Sequence, residues 1–329
     1  MILSTKSRVL EQLEQRRGHS VSGESMAAAL AVSRNAVWKA IQELRRDGYQ
    51  IIAVNRKGYC LSEDNDILSP AGIKPFLSDV CLPYADQISV FPVLPSTNQT
   101  AKEMAVAGAP HGTVIVAEGQ TAGRGRYARP FFSPAGDGLY ISLVLRPEKL
   151  RFENPTVITA FAAVAVCEAI EAVSGKTAQV KWVNDIFLSG KKAAGILTEA
   201  AADFESGQLG WIVLGIGMNI SIAPESFPAE LQSLATSVFP GGAPPGARNR
   251  LAAELINRLL GRERYPKEQD ILSAYKSRLM MLNREVTVFQ GEKSFRATAL
   301  DIDSLGRLLV RKPTGEALAL SAGEIRLGV

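Results

Sequence analysis

The chain has 329 residues, 46% of them hydrophobic and 21% charged, which excludes one small module and a wholly disordered chain. Its net charge of +4 is uneven: residues 1–62 hold ten Lys or Arg against five Asp or Glu, whereas the remainder has 27 basic and 28 acidic groups. The N-terminal segment is therefore the part suited to a polyanion.

The longest aliphatic stretch, 157–173, is broken by Glu168 and Glu171 and falls short of the ~20 residues of a membrane span, so it reads as a buried helix. Charges at 6–17 exclude a signal peptide. Cys60, Cys81 and Cys167 are isolated and only His19 and His111 are available, which leaves little for disulfides, zinc or a Ser-His-Asp triad. A reducing cytoplasm is the expected compartment, with no membrane partner.

Residues 6–17 repeat apolar positions at helical spacing, and 21–30 supply a second helix with Ser22 as N-cap. Ser33 caps a third helix over 34–46, whose Val37, Ile41 and Leu44 face inward while Arg34, Asn35, Trp38 and Lys39 crowd its outer first turns. Such side chains reach bases and phosphates when a helix start enters a major groove. Gly48 stops the helix, and 51–61 alternate around a turn at 55–58, a wing tipped by Arg56 and Lys57. Residues 1–62 thus read as a winged helix-turn-helix that contacts DNA through Ser33, Arg34, Asn35, Trp38, Lys39, Arg56 and Lys57. A winged helix that contacts only protein is the alternative, and it would not require the basic face.

The acidic run that starts at Ser62 opens a linker over 63–82, and a large domain follows over 83–280. Strand 88–94 leads into Ser96, Thr97, Asn98 and Gln99, hydroxyls and amides suited to a neutral polar ligand group or to capping a helix. Strand 113–118 runs into GQTAGRGRYARP, Gly119 to Pro130, with three glycines and three arginines. Gly123, Gly125 and Ala128 mimic a dinucleotide fingerprint, but Pro130 and the SPAGDG run at 133–138 forbid the helix that must follow it. The loop instead allows close backbone approach, and Arg124, Arg126 and Arg129 supply charge for an anion.

Residues 180–188 read as one strand and 191–199 as its hairpin return, setting Lys181 beside a glycine. A lysine between Val180 and Trp182 needs Asp185, Glu199 or a bound anion. Strand 211–217 ends in GIGMN, where Gly215 and Gly217 admit something close to the backbone and Asn219 offers an amide. Helices over 248–260 and 269–279 complete the large domain. Over 281–329, strands at 286–289, 295–300, 308–310 and 317–320 turn at Gly291, Gly306 and Gly315 into a small β-barrel.

In this order, STNQ (96–99), GRGRYAR (123–129), KWVND (181–185), KAAGIL (192–197) and GIGMN (215–219) closely resemble the biotin protein ligase family. With the winged helix in front, the chain resembles the bifunctional form, ligase and biotin operon repressor. The resemblance spans essentially the whole chain and implies a multi-domain α/β (α+β) fold. Its parts would be the winged helix-turn-helix, a mixed-sheet class II synthetase-like ligase domain and an SH3-like C-terminal barrel. The implied reaction uses ATP and Mg²⁺: biotin's carboxylate attacks the α-phosphate to give biotinyl-5′-AMP. A lysine of a biotin carboxyl carrier protein then displaces AMP.

The resemblance assigns Ser96, Thr97, Asn98, Gln120, Arg124, Gly125, Arg126, Lys181 and Gly195 to biotin. It assigns Arg129, Phe131, Asn219 and Lys181 to the adenylate. Lys181, Arg126 and Arg124 become the catalytic set, acting through charge rather than as nucleophiles. No protein metal site is expected, and Asp185 is offered only as an aid to Mg²⁺ or to loop order. Two departures stand out: Val183 replaces the family's common Pro, and Phe131 a frequent Trp. The expected partners are operator DNA, biotinyl-5′-AMP as corepressor and a second copy in a liganded homodimer, with the arginine loop disordered when empty. A lipoate ligase of related fold and a regulator that only senses the adenylate are the competing readings. The winged helix and arginine loop weigh against the first, and retention of Lys181 against the second.

Overall fold

The computed structural model describes residues 4–150, 154–202, 209–261, 267–291 and 293–327; the outermost ends of the expected 1–62 and 281–329 segments lie outside these. Ser4, Ser22 and Ser33 sit extended before α1 (Thr5–Glu14), α2 (Gly23–Leu30) and α3 (Arg34–Arg46), and each side chain accepts a backbone N–H of the first turn. The first helix ends earlier than its periodicity predicts, because Arg17 forks back onto Glu14 and the chain tightens toward Gly18. Val9, Leu13, Met26, Val37, Ile41 and Leu44 close a core of their own. The wing, β1 (Ile51–Val54) and β2 (Gly58–Leu61), pairs antiparallel as expected. At Gly58, φ is +102° and a Cβ would lie 2.2 Å from the Val21 carbonyl oxygen, so only glycine fits.

The expected linker is a packed strap. It contains a short helix, α4 (Pro70–Ile73), that touches both α1 and the later helix α7 (Ala247–Leu260). Lys74 pairs with Glu11 at 3.1 Å on one side. On the other, Asn249 accepts from the Ser69 N–H and donates to the Ile67 carbonyl, and Asn257 serves Ser78 and Phe76 in the same way. Two asparagines of α7 thus satisfy strap backbone that would otherwise need water.

Next in chain order come β3 (Ile88–Leu94), α5 (Thr97–Val106), β4 (Thr113–Gln120), β5 (Gly138–Leu145) and α6 (Pro155–Ser174). They are followed by β6 (Gln179–Lys181), β7 (Asp185–Leu188), β8 (Lys191–Ala202) and β9 (Leu209–Asn219). Among the described residues these strands form a seven-stranded sheet, order β3-β4-β5-β9-β8-β7-β6, mixed because only β3 and β4 run parallel. Alternation along β4 sends Val114 and Val116 toward α6 and α7, and Ile115 toward Ala101 and Ala105 of α5. By length and apolarity α6 does reach what a membrane span needs, contrary to the sequence expectation. It is a core helix, with Val157, Cys167 and Ile170 fully buried, and Glu168 and Glu171 pair with Arg258 and Arg278.

The expected strand 180–188 is broken. Residues 182–184 reverse the chain through a cis Trp182–Val183 bond, the Trp182 indole donates to the Gly306 carbonyl, and Asn184 exchanges bonds with Ile196. Lys181 consequently opposes Asp185, and it is Asp185 that opposes Gly195.

After α7, α8 (Glu268–Lys276) packs on α6. The last segment is an antiparallel five-stranded sheet, order β13-β12-β11-β10-β14 among the described residues. Its strands are β10 (Glu285–Gln290), β11 (Lys293–Ile302), β12 (Leu308–Arg311), β13 (Ala317–Leu320) and β14 (Glu324–Leu327). Gly291, Gly306 and Gly315 all take positive φ at the expected turns. The edge strand β14 was not expected from the sequence. Val286, Val288, Leu308 and Ile325 join the core of the central domain.

Candidate active site

One cavity gathers the N-terminal end of α5, the arginine loop, the β6–β7 turn, the mid-strand glycines of β8 and β9, and the start of β14. Ser96, Thr97, Asn98, Gln120, Arg124, Gly125, Arg126, Arg129, Phe131, Lys181 and Gly195 all line it. Asn219 does not: buried at the end of β9, its amide donates to the Thr236 carbonyl at 3.0 Å, holding the next loop to the sheet.

One end of the cavity is neutral and polar. Ser96 caps α5, the Gln120 side-chain oxygen accepts from the Thr97 N–H at 2.8 Å, and the Gln120 amide donates to Ser133. The other end is cationic. The arginine loop is narrow, closed by Phe131 N–H to Gly123 O and Gly125 N–H to Arg129 O, and Tyr127 and Ala128 hold left-handed φ of 57° and 56° at its tip. No helix follows it, in keeping with the rejected dinucleotide reading. Arg126 lies over the Tyr127 ring and donates to the Gly323 carbonyl, while Arg129 pairs with Glu324 at 2.7 Å.

Lys181 is half-buried, and each carboxylate expected to neutralise it is engaged elsewhere: Asp185 with Lys192 at 2.6 Å, Glu199 with Lys102 at 2.8 Å. Among the described residues Lys181 makes no ion pair; its ammonium stands 5.7 Å above the Phe187 ring. Burial pulls its pKa below the ordinary lysine value, against the fields of Asp185 and Glu324. A bound anion is the option left for it.

The glycines of GIGMN make room for the protein's own side chains. A Cβ on Gly215 would fall 1.9 Å from the Asn98 side-chain oxygen, and one on Gly217 2.7 Å from the Phe131 ring. Trp182, Asn184, Lys192, Tyr127, Gly323 and Glu324 also line the cavity and were not assigned there from sequence. Lys192 stood in a quoted motif, but nothing local marks Glu324, 195 residues from its partner Arg129.

The hydrogen bond from Arg129 holds the Glu324 carboxyl below its usual pKa, burial opposing. A depressed folded value means that the clasp stabilises above the unfolded carboxylate range and is lost as pH falls through the folded value. The stability difference between the parent and Glu324→Gln is therefore expected at neutral pH and should vanish in acid. Urea unfolding over a pH series measures it, and a difference independent of pH would refute the clasp.

A second feature lies on the winged helix. Arg34, Asn35, Trp38 and Arg56 line a shallow depression beside the wing, with Trp38 51% exposed. Lys39 and Lys57 are exposed beside it, and Ser33 is used as the cap of α3. No ion pair neutralises Arg34, Lys39, Arg56 or Lys57 among the described residues, so the face keeps its charge.

A winged helix strapped to a mixed sheet, whose cavity joins an amide-and-hydroxyl end to a cationic end, defines a DNA-binding ligase of the biotin and lipoate class. The Biotin/lipoate A/B protein ligase family matches residues 90–219, an HTH domain 5–60, and the biotin protein ligase C terminal domain 281–328. The bifunctional ligase/repressor BirA of Bacillus subtilis is 42% identical over 234 residues, covering 70% of this chain and 69% of its own. That of Salmonella typhimurium is 33% identical over 94% of both chains. Among solved structures, the biotin protein ligase from Aquifex aeolicus in complex with biotin and ATP matches with a TM-score of 0.61 and 25% identity, over 73% of this chain and 98% of that one. The chain belongs to the biotin protein ligase family, in its bifunctional ligase/repressor form.

Proposed function

We propose that the chain forms biotinyl-5′-AMP from biotin and ATP, transfers biotin to a lysine of a biotin carboxyl carrier protein, and represses transcription as an operator-bound homodimer with biotinyl-5′-AMP as corepressor. The observation that carries the enzymatic half is Lys181, an uncompensated half-buried cation in the cavity that also holds Thr97 and Gln120. Two anions, a carboxylate and the α-phosphate, must meet there, and Lys181, Arg124 and Arg126 offset their repulsion and the charge that builds in the transition state. Phe131, lying against Gly217, offers a flat apolar surface for the adenylate side, beside Arg129. Asn219 stands outside the cavity, so its assigned adenosine contact has no geometric support here.

The residues suit a Mg²⁺ that arrives with the nucleotide. Asp185 and Glu324 are the carboxylates on the cavity, each paired with a cation, and the described residues hold no metal-ligand cluster. Mg²⁺ bound through one carboxylate and phosphate oxygens would neutralise the phosphates. The unpaired thiols Cys60, Cys81 and Cys167 suit a reducing cytoplasm.

Incubation with biotin, MgATP and a carrier domain, read by intact mass, tests the enzymatic half. The carrier should gain one biotinyl group; a gain with lipoate and none with biotin would overturn the reading. For the repressor half, the charged α3 face and the ligase/repressor relatives are the support. Anion binding should order a loop rich in glycine and like charge, beside the sheet edge β3. Sedimentation equilibrium with and without biotinyl-5′-AMP tests the coupling, and an indifferent dimerisation constant would sink it.

A further inference from the structure

Behind the neutral end of the cavity runs a line of polar side chains whose hydrogen bonds take a direction when followed from Glu199. It starts at Glu199 on β8, whose carboxylate only accepts: from Lys102 at 2.8 Å and from the Asn98 Nδ2 at 2.8 Å. Asn98 Nδ2 also donates to the Leu197 carbonyl, so both of its neighbours are acceptors and the amide cannot turn over. Its Oδ1 is thereby aimed at the fully buried Ser142 hydroxyl, 2.7 Å away, in the space that Gly215 leaves open.

Ser142 has one proton, and the amide oxygen needs it. With that proton committed to Asn98, the 2.8 Å contact between Ser142 Oγ and Thr97 Oγ1, across which Ser142 would otherwise donate, takes the Thr97 proton instead. Gln120 Oε1, 3.2 Å from Thr97 Oγ1, competes for that proton, but the contact to Ser142 is shorter and claims it, which leaves the Thr97 lone pairs and Gln120 Oε1 as acceptors at the cavity end. Gln120 cannot reverse, since its oxygen takes the Thr97 N–H and its nitrogen faces Ser133 Oγ, whose own proton goes to the Phe131 carbonyl.

We propose that Glu199 is the positioning residue that sets ligand specificity. By fixing this relay from outside the cavity, it makes the neutral end an acceptor surface that selects acids with paired N–H donors and rejects those without them. The inference rests on the biotin reading above, and supplies the reason that a ureido ring would be preferred to an apolar acyl head. Without Glu199 only the 3.3 Å bond to the Leu197 carbonyl holds Asn98; once the amide turns over, Ser142 donates to Thr97 and the Thr97 proton passes to Gln120 Oε1, which already takes the Thr97 N–H and has no lone pair left for a ligand N–H.

The test uses the full chain and acid-dependent pyrophosphate release at saturating MgATP, with biotin and ring N-methylated biotin as the two acids. Glu199→Met keeps the reach of the side chain and removes the acceptor. It should raise the biotin KM about 10- to 100-fold, with kcat little changed, and shrink the preference for biotin over the methylated acid by a similar factor. Glu199→Gln, which loses the Lys102 ion pair and keeps an acceptor, should restore both. Ser142→Ala should reproduce the KM loss, and the pair combined should lose no more than either alone. An unmoved biotin KM in Glu199→Met, equal impairment of the Gln and Met variants, or additive losses would each overturn the relay. Should Glu199→Met fail to fold, an unmoved KM in Ser142→Ala overturns it as well. No biotin-dependent release by the unaltered protein would instead overturn the ligase reading on which the relay depends.

Discussion

Replacing Lys181 by alanine is expected to lower the single-turnover rate of adenylate formation about 10²- to 10³-fold, the range for a preorganised electrostatic stabiliser in a closed site. The fold should not suffer. The carboxylates that could have made this lysine structural are bound to Lys192 and Lys102, so its charge is held at a cost rather than in a salt bridge. Its lowered pKa has a definite sign: the cost is fullest while the group is protonated and is relieved as pH rises toward the ordinary lysine range. Lys181→Met, which keeps the stem over Phe187, should therefore match or exceed the parent in thermal stability at neutral pH while remaining as slow as Lys181→Ala. A structural lysine predicts the reverse. Rapid-quench adenylation beside a melting curve separates the two, and an unchanged adenylation rate would remove Lys181 from the chemistry.

The parts of the molecule legible in the sequence are those specified locally. Ser22, Ser33 and Ser96 each announce a helix because the capping oxygen and the N–H it satisfies lie within one turn. The alternation of strands and the glycine turns of the last domain are likewise short-range signals. Most of the cavity was readable because its motifs carry unusual residue types: three arginines among glycines, and a lysine inside an apolar run. What escaped depends on long-range pairing. The Trp182 reversal is fixed by Gly306 and by the Tyr275 hydroxyl donating to the Val183 carbonyl, both far along the chain, while the local alternation reads as an unbroken strand. The sequence marks Gly215 and Gly217 as points of close approach, but what approaches is Asn98 and Phe131, which only the packed sheet reveals. Glu324 reaches the arginine loop from the edge strand of another sheet, and the acidic strap is ordered by asparagines of a helix about 180 residues on.

Deleting residues 1–62 is expected to abolish operator binding completely, including weak binding at low salt. Nonspecific affinity for DNA comes from phosphate neutralisation, and the remaining 267 residues carry 27 basic and 28 acidic groups, so they offer the duplex no net attraction once α3 and the wing are gone. Within the full chain, Arg34→Ala and Lys39→Ala should each reduce the salt dependence of binding by about one phosphate contact if those side chains reach the backbone. The deletion should also be felt at the cavity. It removes the Glu11 partner of Lys74 and the bond from Arg17 to the Asn65 carbonyl, which together brace the strap from the winged-helix side. The strap in turn grips Arg248 through Asp66, and buried Arg248 lies 3.7 Å from Glu118, near the end of β4 and two residues before Gln120. Loosening one side of that chain should change the KM for biotin more than kcat; separately, if biotinyl-5′-AMP alters DNA affinity in the full chain, linkage requires that operator DNA alter adenylate affinity by the same factor. Fluorescence anisotropy with labelled operator, run from low to physiological salt alongside biotin-dependent pyrophosphate release, measures both effects. DNA binding that survives the deletion would overturn the assignment of the winged helix, and a biotin KM untouched by it would mean that the strap joins the two modules without coupling them.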